Sequence, residues 1–589
     1  MDLAYEREDW QPTSAAKALL RNNMPLLGYI AGKREAFTSK DHLFVPREVV
    51  EKQAIVINNS RRPVECACES SLDLPQAISG HSKVTVGAGE QARIPLKFAL
   101  PGTLAPGDYT IATAFKFDSG EIQTDSFAIR VVPDPRPPRV SGRIALFDPA
   151  VETSLLLRQM RIRPEQVEAD ADLSEYDMLI VGQKALTVDG RAPDIRRVRD
   201  GLRVLIFEQT AEVLEKRFGY RIAEYGLRNV FPRVPDHPLI AGISGDSWRD
   251  WRGSAMLLPA RLTYQLRPRH GPTVKWCDIE VPRLWRCGNR GNVASVLIEK
   301  PARGDFLPII EGGYSLQYSP LMEYREGQGM IVFCQLDVAV RTESDPVART
   351  LMGNLLRYVA DWKAEPRRSA VYVGEPAGKA HLEAAGVSVR PYERGKIGVD
   401  DVLVAGPGCS ESLAGDATGI ANWLSAGGHL LAAGLGEADL KALPLKIGVQ
   451  KSEHISASFA PFGRDSLLAG VGPADVHNRD PRELALITAG ATVFGDGVLA
   501  QAEDRNVVFC QLAPWQFAGS KQVNLRKTFR RTSFVLTRLL ANMGVAGTTP
   551  VLERFHTSVD STKSERRWLE GLYLDQPVEW DDPYRFFRW

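Results

Sequence analysis

Two turns in this sequence stand where an α/β sheet would present a nucleophile. The first reads IFEQTAEVLEKRFG and the second reads AAGLGEADLKAL, and each follows a short apolar run. Such a strand-to-helix turn exposes a Cys or Ser over a helix N-terminus. Gln209 and Leu435 occupy that position here, and neither side chain can act as a nucleophile. The turns therefore predict α/β domains without a covalent catalyst.

The cysteines are the next candidates for a nucleophile or a metal site. Their number is odd, and they are scattered over positions 66, 68, 277, 287, 334, 409 and 510. This spacing matches neither a disulfide framework nor a set of zinc ligands. Cys334 and Cys510 lie inside apolar runs, where a thiol is inert. We therefore interpret the cysteines as core thiols and predict no metal and no cofactor.

One loop leaves a hydrolase with its own nucleophile open as an alternative. The segment GPGCS contains Cys409 and Ser410, and Ser412 follows, but no basic partner accompanies them in the sequence. A nucleophilic hydroxyl or thiol requires an adjacent base or a lowered pKa. Ser410 and Ser412 are therefore the candidate nucleophiles of this alternative, although the sequence shows no base that would activate them.

Glycosidic hydrolysis requires a different constellation, two carboxyl groups facing each other across the scissile bond. The chain has 72 acidic residues, so a pair of carboxylates in the sequence proves nothing.

One His-x-Glu occurs, His381-Leu382-Glu383. It falls in a predicted helix and is typical of a solvated helix face. We predict no catalytic residue in this chain.

Aromatic residues are candidate sugar contacts, because pyranose faces stack on aromatic rings as other apolar surfaces do. The segment SWRDWRG contains the candidate contact residues Trp248, Asp250, Trp251 and Arg252. The alternative is a purely structural role, in which the tryptophans close this insertion over a sheet and Asp250 and Arg252 form a solvated pair.

The C-terminal tail is a second aromatic-rich segment. Its candidate interface anchors are Trp568, Tyr573, Trp580, Tyr584, Phe587 and Trp589. So many large aromatic side chains are unlikely to remain in water. We expect the tail to dock on a neighbouring domain or subunit, with an intrachain staple over the second α/β domain as the alternative.

The elements that precede these sites divide into a helical piece and a β-rich domain. Residues 1–41 contain a helical segment, SAAKALLRNN, and residues 42–132 follow a period-two apolar pattern broken by turn residues. Short alternating strands at even spacing predict an immunoglobulin-like β-sandwich. The segment PDPRPPR, residues 133–139, then predicts a stiff proline linker.

Strands and helices alternate after the linker, which predicts two tandem α/β domains, 140–365 and 366–548, followed by a tail, 549–589. Apolar runs such as MLIVG and VLVAG are typical of buried parallel strands. GQGMIVFCQLDV and DRNVVFCQLAPW share the tetrapeptide FCQL, and each precedes a long amphipathic helix. These matches indicate a tandem duplication, with an insertion at 231–292 in the first copy.

Charge and hydropathy exclude several classes of partner. Lys and Arg number 73 against 72 Asp and Glu, a formal net charge of +1, so no global field attracts nucleic acid. No run of about eighteen apolar residues occurs, which argues against a membrane span. The first residues, MDLAYEREDW, lack the pattern of an export signal, so as written the chain is expected to be cytoplasmic.

The α/β portion resembles the class I glutamine amidotransferase-like domain in topology and in the placement of its turns. That family carries its cysteine in a Gly-x-Cys-x-Gly elbow and a His-x-Glu near the end of the domain. Gln209 and Leu435 replace the cysteine, and the His-x-Glu at 381–383 lies in the first helix of the second copy. The resemblance implies flavodoxin-like, three-layer domains that lack the activity.

The N-terminal portion and the tail resemble β-galactosidase-like enzymes of glycoside hydrolase family 2. SAAKALLRNNMPLLGYIAG and the residues after it look like the end of a barrel running into a sandwich domain, and GLYLDQPVEWDDPYRFFRW looks like a closing tail. The acid/base glutamate of such barrels follows an asparagine, and this sequence contains no Asn-Glu pair. The resemblance implies a non-catalytic C-terminal half whose partner is a catalytic barrel, upstream of Met1 or on another chain.

Three functions remain open at this point. The first is the accessory and assembly portion of a glycoside hydrolase that acts in carbohydrate degradation. The second is an independent amidotransferase-like or hydrolase enzyme, and the third is a free-standing carbohydrate-binding scaffold. Carbohydrate is the candidate ligand in the first and third cases, and a homo-oligomer is compatible with all of them.

Overall fold

A computed structural model describes residues 11–257, 289–478, 482–502, 506–519, 521–560, 567–569 and 571–572, and the backbone of two strands at 273–276 and 279–282. The chain is multidomain and contains antiparallel and mixed sheets together with α/β elements. It divides into two compact units. The sandwich unit comprises Met1–Arg136, Gly245–Gly253 and Glu343–Arg349, and the α/β unit comprises Pro137–Ser244, Ser254–Thr342 and Thr350–Trp589.

The sandwich unit begins with a helix and continues with eight strands. They are α1 (Ser14–Asn22), β1 (Leu26–Ala31), β2 (Leu43–Phe44), β3 (Val49–Asn58), β4 (Val64–Leu72), β5 (Ile78–Val86), β6 (Gln91–Ala99), β7 (Gly107–Phe117) and β8 (Ile122–Val131). The strands form a three-stranded sheet, β1-β3-β6, and a five-stranded sheet, β2-β8-β7-β4-β5. The predicted alternation is visible in β7, where Ile111 and Phe115 are buried and Ala112 is exposed. Cys66 and Cys68 lie in the same core as free thiols.

The first part of the α/β unit is built on one mixed sheet. Its strands are β9 (Ile144–Phe147), β10 (Glu165–Gln166), β11 (Met178–Val181), β12 (Arg203–Ile206), β13 (Ile222–Leu227), β14 (Phe231–Pro232), β17 (Ala294–Glu299), β18 (Asp305–Gly312), β19 (Tyr318–Glu326) and β20 (Gly329–Cys334). The insertion adds a separate hairpin of β15 (Thr273–Trp276) and β16 (Ile279–Pro282). The order β10-β9-β11-β12-β20 is parallel throughout, and β19, β17 and β13 extend it antiparallel.

The second part repeats this strand order. Its strands are β21 (Ser369–Val373), β22 (Val389–Pro391), β23 (Asp401–Ala405), β24 (His429–Ala433), β25 (Gly448–His454), β26 (Arg482–Ala489), β27 (Thr492–Phe494), β28 (Leu499–Gln501) and β29 (Val507–Cys510). The order β22-β21-β23-β24-β29 is parallel, and β28 and β27 continue it antiparallel. In each part, the fifth strand, which contains the start of FCQL, therefore lies beside the strand that precedes the turn at Gln209 or Leu435. We call these two turns the first and the second elbow.

The helices flank these sheets. They are α2 (Glu152–Gln159), α3 (Pro346–Asp361), α4 (Pro376–Ala384), α5 (Ser410–Leu413), α6 (Ala417–Ser425), α7 (Glu437–Ala442), α8 (Val523–Asn542) and α9 (Val551–His556), with a π-helix at Val213–Phe218. Short 3₁₀ turns lie at Arg196–Asp200, Pro238–Ile240, Gly245–Trp248, Tyr314–Leu316, Gly495–Gly497 and Pro514–Phe517. Within the described ranges, no helix combines the length and apolar character that a membrane span requires.

The two parts of the α/β unit are joined by buried charges. Lys300 Nζ lies 2.9 Å from Glu311 Oε2 in the first part and 3.0 Å from Asp475 Oδ1 in the second. Arg233 adds a second cation 2.5 Å from Glu311. All four side chains are at least nine-tenths buried. Opposite charges that are removed from water must be paired, so this cluster sets how the two parts dock.

Helix α8 contributes to the same junction. Its amphipathic sequence predicts a polar face, but that face is not solvated. Arg530 lies 2.5 Å from Glu299, and Arg538 lies 3.0 Å from Asp305. Both carboxylates belong to the first part of the α/β unit, so the polar face of α8 is buried against that part. The periodicity of the α8 sequence does not reveal this contact.

Candidate functional site

The first elbow is closed by its own side chain. Gln209 follows β12 and is fully buried. Its Nε2 donates to the carbonyl oxygens of Gly182 (2.8 Å) and Phe207 (2.6 Å), and its Oε1 accepts from the Leu186 N–H (3.0 Å). Every polar atom of the amide group is thus bonded to main chain. Gln209 therefore ties neighbouring strand ends together and is not exposed to solvent.

The repeated FCQL tetrapeptide holds both elbows. Gln335 accepts from the Gln209 N–H through Oε1 (2.9 Å) and donates to the Gln209 carbonyl through Nε2 (3.0 Å). In the second part, Gln511 Nε2 donates to the carbonyl of Leu435 (2.9 Å), which is also fully buried. The repeat in the sequence was the available signal, and its glutamine bonds to the elbow residue in each part.

A pair of carboxyl groups lies next to the first elbow, and sequence reasoning missed it. Glu208 precedes Gln209, Asp337 follows β20, both side chains are fully buried, and each carboxyl group shifts the pKa of the other. Gln183 Nε2 donates to Glu208 Oε2 (2.9 Å), and Arg341 donates to Asp337 Oδ2 (2.9 Å). The remaining oxygens, Glu208 Oε1 and Asp337 Oδ1, have no donor among the described residues.

One shared proton would satisfy both of these oxygens. Burial, together with the negative charge of Asp337, raises the pKa of Glu208 well above its ordinary value. Burial also raises the pKa of Asp337 to about 6, although Arg341 opposes the shift. A single guanidinium therefore faces two carboxyl groups, and the pair binds a proton more tightly than two solvated carboxyl groups would.

The edge formed by these strand ends is where ligands bind in open α/β sheets. A third buried carboxyl group, Asp148 after β9, accepts from the Ser154 N–H (2.8 Å), and burial raises its pKa. A proton-sharing carboxyl pair has the chemistry of a general acid and base. Glu208 and Asp337 are, however, inaccessible in this structure, and the described residues contain no cluster suited to a metal ion.

The corresponding edge of the second part contains the GPGCS loop. Asp439 accepts from the N–H groups of Gly408 (3.2 Å) and Ser410 (3.1 Å), and its Oδ1 lies 3.8 Å from the Cys409 sulfur. Burial, reinforced by the Asp439 carboxylate, raises the pKa of the Cys409 thiol to about 12. The thiol is therefore protonated at neutral pH and is a poor nucleophile. Ser412 is exposed on the surface.

The His381-Leu382-Glu383 segment differs from its prediction. Glu383 is exposed, but His381 and Leu382 are buried. The His381 ring packs 5.5 Å from Phe529 and 5.9 Å from Trp515, and burial lowers its pKa to about 4. The interpretation as a solvated helix face is wrong because α8 and the 3₁₀ turn at Pro514–Phe517 cover this side of α4.

The SWRDWRG segment belongs to the sandwich unit. Trp248 and Trp251 are fully buried with ring centroids 6.4 Å apart, so neither ring offers a free face. Asp250 and Arg252 are not solvated as the sequence suggested, because Asp250 is buried and the Arg252 side chain is only 13% exposed. Arg252 donates to both carboxylate oxygens of Glu48 (2.8 and 2.7 Å), and Asp250 lies 3.1 Å from Arg249. Sugar contact by this segment stays a prediction.

The tail is described only at its beginning. Trp568 is half-buried under the Arg221 guanidinium at 5.2 Å, and Leu569 and Leu572 join the cores of the first and second parts of the α/β unit. Arg554 donates to the carbonyl of Trp568 (3.2 Å). The other predicted anchors lie outside the described residues: Tyr573, Trp580, Tyr584, Phe587 and Trp589.

Packing of the second elbow can be tested by mutation. Leu435→Ala is expected to lower the free energy of unfolding by about 2–5 kcal/mol, because it removes a fully buried side chain and leaves a cavity. Leu155→Ala, at a side chain that is 61% exposed, is the matched control and should change stability by less than about 0.5 kcal/mol. Urea unfolding of the two variants measures the difference. Equal effects would contradict a packed elbow.

Comparisons with known proteins add little to this geometry. No family model and no curated protein matches the chain. Among solved structures, a CARDB domain from Pyrococcus furiosus, determined with di-metal ions, is 14% identical over 18% of this chain and 87% of its own, with a TM-score of 0.15.

Glycoside hydrolases are among the weak structural neighbours. A family 123 glycoside hydrolase from Clostridium perfringens is 12% identical over 23% of this chain and 32% of its own, with a TM-score of 0.15. A beta-glucosidase from Listeria innocua is 12% identical over 18% of this chain and 16% of its own, with a TM-score of 0.14. Likenesses at these scores carry no argument about activity.

Proposed function

We propose that this chain is the accessory and assembly portion of a β-galactosidase-like glycoside hydrolase, and that it supplies domain interfaces and no catalytic carboxylates. The observation that carries the proposal is the closure of both elbows. Gln209 and Leu435 fill the positions of a nucleophile, and Gln335 and Gln511 bond them in place. A reacting group must be exposed to its substrate, whereas these residues are buried.

The two parts of the α/β unit are proposed to be tandem copies of one amidotransferase-like, flavodoxin-like domain. The repeated order of five parallel strands and the repeated FCQL bonds support a common origin. Buried ion pairs that join the copies suit a scaffold better than two independently moving enzymes. The proposed partner is a catalytic barrel on the same polypeptide or on another chain, and the aromatic tail is a proposed anchor for it.

The proposal predicts that the purified chain hydrolyses neither aryl glycosides nor glutamine. The assay compares the chain with two variants, Glu208→Gln and Glu411→Gln. Glu208 belongs to the carboxyl pair at the first elbow, and Glu411 is an exposed control. Release of nitrophenol or ammonia that survives repurification and is lost only in Glu208→Gln would overturn the proposal, because it would assign catalysis to this chain.

A further inference from the structure

A groove in the α/β unit lies apart from the elbows. It has a volume of about 650 Å³ and is formed by the C-terminal end of α3 with the residues after it, the 3₁₀ turn at Pro238–Ile240 and the loop around Arg464. Its volume falls in the range of small-molecule sites.

Two aromatic side chains line the groove on one face of the chain. Tyr358 lies in the last turn of α3, and Trp362 follows four residues later, one helical turn away. Both rings are half-buried, so each presents a surface to the groove while its remainder packs against the protein. Together the two rings give the groove an aromatic surface, called here the aromatic platform.

Buried polar groups fix the position of Tyr358 in the aromatic platform. The Tyr358 ring packs against His237 with centroids 5.0 Å apart, and His237 Nε2 lies 3.0 Å from the Glu323 carboxylate. Burial and the charge of Glu323 raise the pKa of the Tyr358 hydroxyl well above its ordinary value, so the ring stays neutral. Arg325 lies 2.7 Å from Glu323 and completes the support. A side chain fixed in this way loses little conformational entropy when a ligand binds.

The rim of the groove carries charged side chains of both signs. Its cations and carboxylates are Arg357, Lys363, Arg464, Asp361 and Glu365. Arg464 lies 3.7 Å from Glu365, and its main-chain N–H donates to Asp236 (2.7 Å), which anchors the loop. Asp361 and Lys363 make no ion pair within the residues that the structure describes. Their hydrogen-bonding capacity is therefore available to a ligand.

This composition favours one class of ligand. A sugar hydroxyl both donates and accepts hydrogen bonds, so it needs carboxylate acceptors and cationic donors close together. A phosphate ligand would instead require a surface of one sign. We infer that the groove binds a carbohydrate, with one pyranose face stacked on Trp362 and its hydroxyl groups bonded to the charged rim. The choice of ligand class rests partly on the proposed function in carbohydrate degradation.

The test measures binding to the full chain without reference to catalysis. Saturation-transfer NMR and calorimetry with lactose, cellobiose and glucuronic acid should detect at least one ligand with a dissociation constant of about 1–10 mM. Trp362→Ala should weaken that binding by about tenfold, whereas Trp362→Phe, which keeps an aromatic face, should retain most of it. Lys441→Ala, on an exposed face of α7, is the control.

The outcomes separate this inference from the proposed function. Absence of binding for all three sugars, or equal binding by the parent and a folded Trp362→Ala variant, would overturn the inference that the groove binds a carbohydrate. Either result would leave the proposed accessory role unaffected. Conversely, catalytic turnover would overturn the accessory role, while loss of sugar binding in Trp362→Ala would still support the groove. Unchanged melting temperatures of the Trp362 variants establish that a loss of binding is local.

Discussion

Lys300→Met is expected to lower the free energy of unfolding of the α/β unit by about 3–5 kcal/mol. The substitution keeps the length of the side chain but removes the ammonium group, which leaves Glu311 and Asp475 as buried carboxylates with less compensation. Because the three groups belong to both parts of the α/β unit, these two parts should also become separable in limited proteolysis. Urea unfolding followed by circular dichroism measures the loss of stability, and the proteolytic pattern reports the loss of docking.

A matched control is available on the surface. Lys451 pairs with Glu483 at 2.7 Å, but these side chains are 74% and 64% exposed. Lys451→Met should therefore cost no more than about 0–1 kcal/mol, since exposed ion pairs are screened by water. The double variant Lys300→Met/Asp475→Asn should recover part of the lost free energy of unfolding, because it also removes one of the two carboxylates that lose the Lys300 ammonium group. If Lys300→Met and Lys451→Met destabilise equally, the cluster does not hold the copies together.

Glu208→Gln is expected to raise the stability of the folded chain at pH 8 by about 1–3 kcal/mol and to have little effect below about pH 4. The raised pKa values mean that the folded chain binds the shared proton more tightly than the unfolded chain does. This contribution is complete below the unfolded pKa values and is lost as pH rises through the folded ones, which burial raises for Glu208 and raises to about 6 for Asp337. The glutamine amide donates to Asp337 at every pH.

The pH profile of unfolding tests this assignment. The groups that act on the pair are Arg341, Lys184, Gln183 and the main-chain N–H of Met256, and they are unchanged in the variant. The parent chain should lose stability relative to Glu208→Gln as pH rises from about 4.5 through the folded pKa of Asp337, about 6, and the exposed control Glu411→Gln should follow the parent. Parallel profiles for the parent and Glu208→Gln would show that the two carboxyl groups share no proton.

Part of the candidate site could be predicted from local sequence. The elbow positions Gln209 and Leu435 follow short apolar strands, and the structure places both at the ends of parallel strands, β12 and β24. The FCQL repeat marks the neighbouring strand in each copy. These inferences succeed because they depend on the period and length of single elements, which the chain encodes within a few residues.

The carboxyl pair and the buried histidine could not be predicted in the same way. Glu208 and Asp337 come from different strands, and nothing in either local segment states that the two become neighbours. His381 sits in a short helix whose pattern is compatible with solvent, and only the packing of Trp515 and Phe529 makes it a core residue.

The sequence by itself determined the alternating strands, the buried parallel runs, the repeated order of elements and the absence of Cys or Ser at the elbows. Tertiary structure alone decided which charges are buried and with whom. Lys300 and Arg538 would be solvated on isolated elements, and their partners, Asp475 and Asp305, are supplied by the other part of the α/β unit. The physical reason is that periodicity reports which side of an element is apolar, whereas the environment of a charge depends on the element that docks against it.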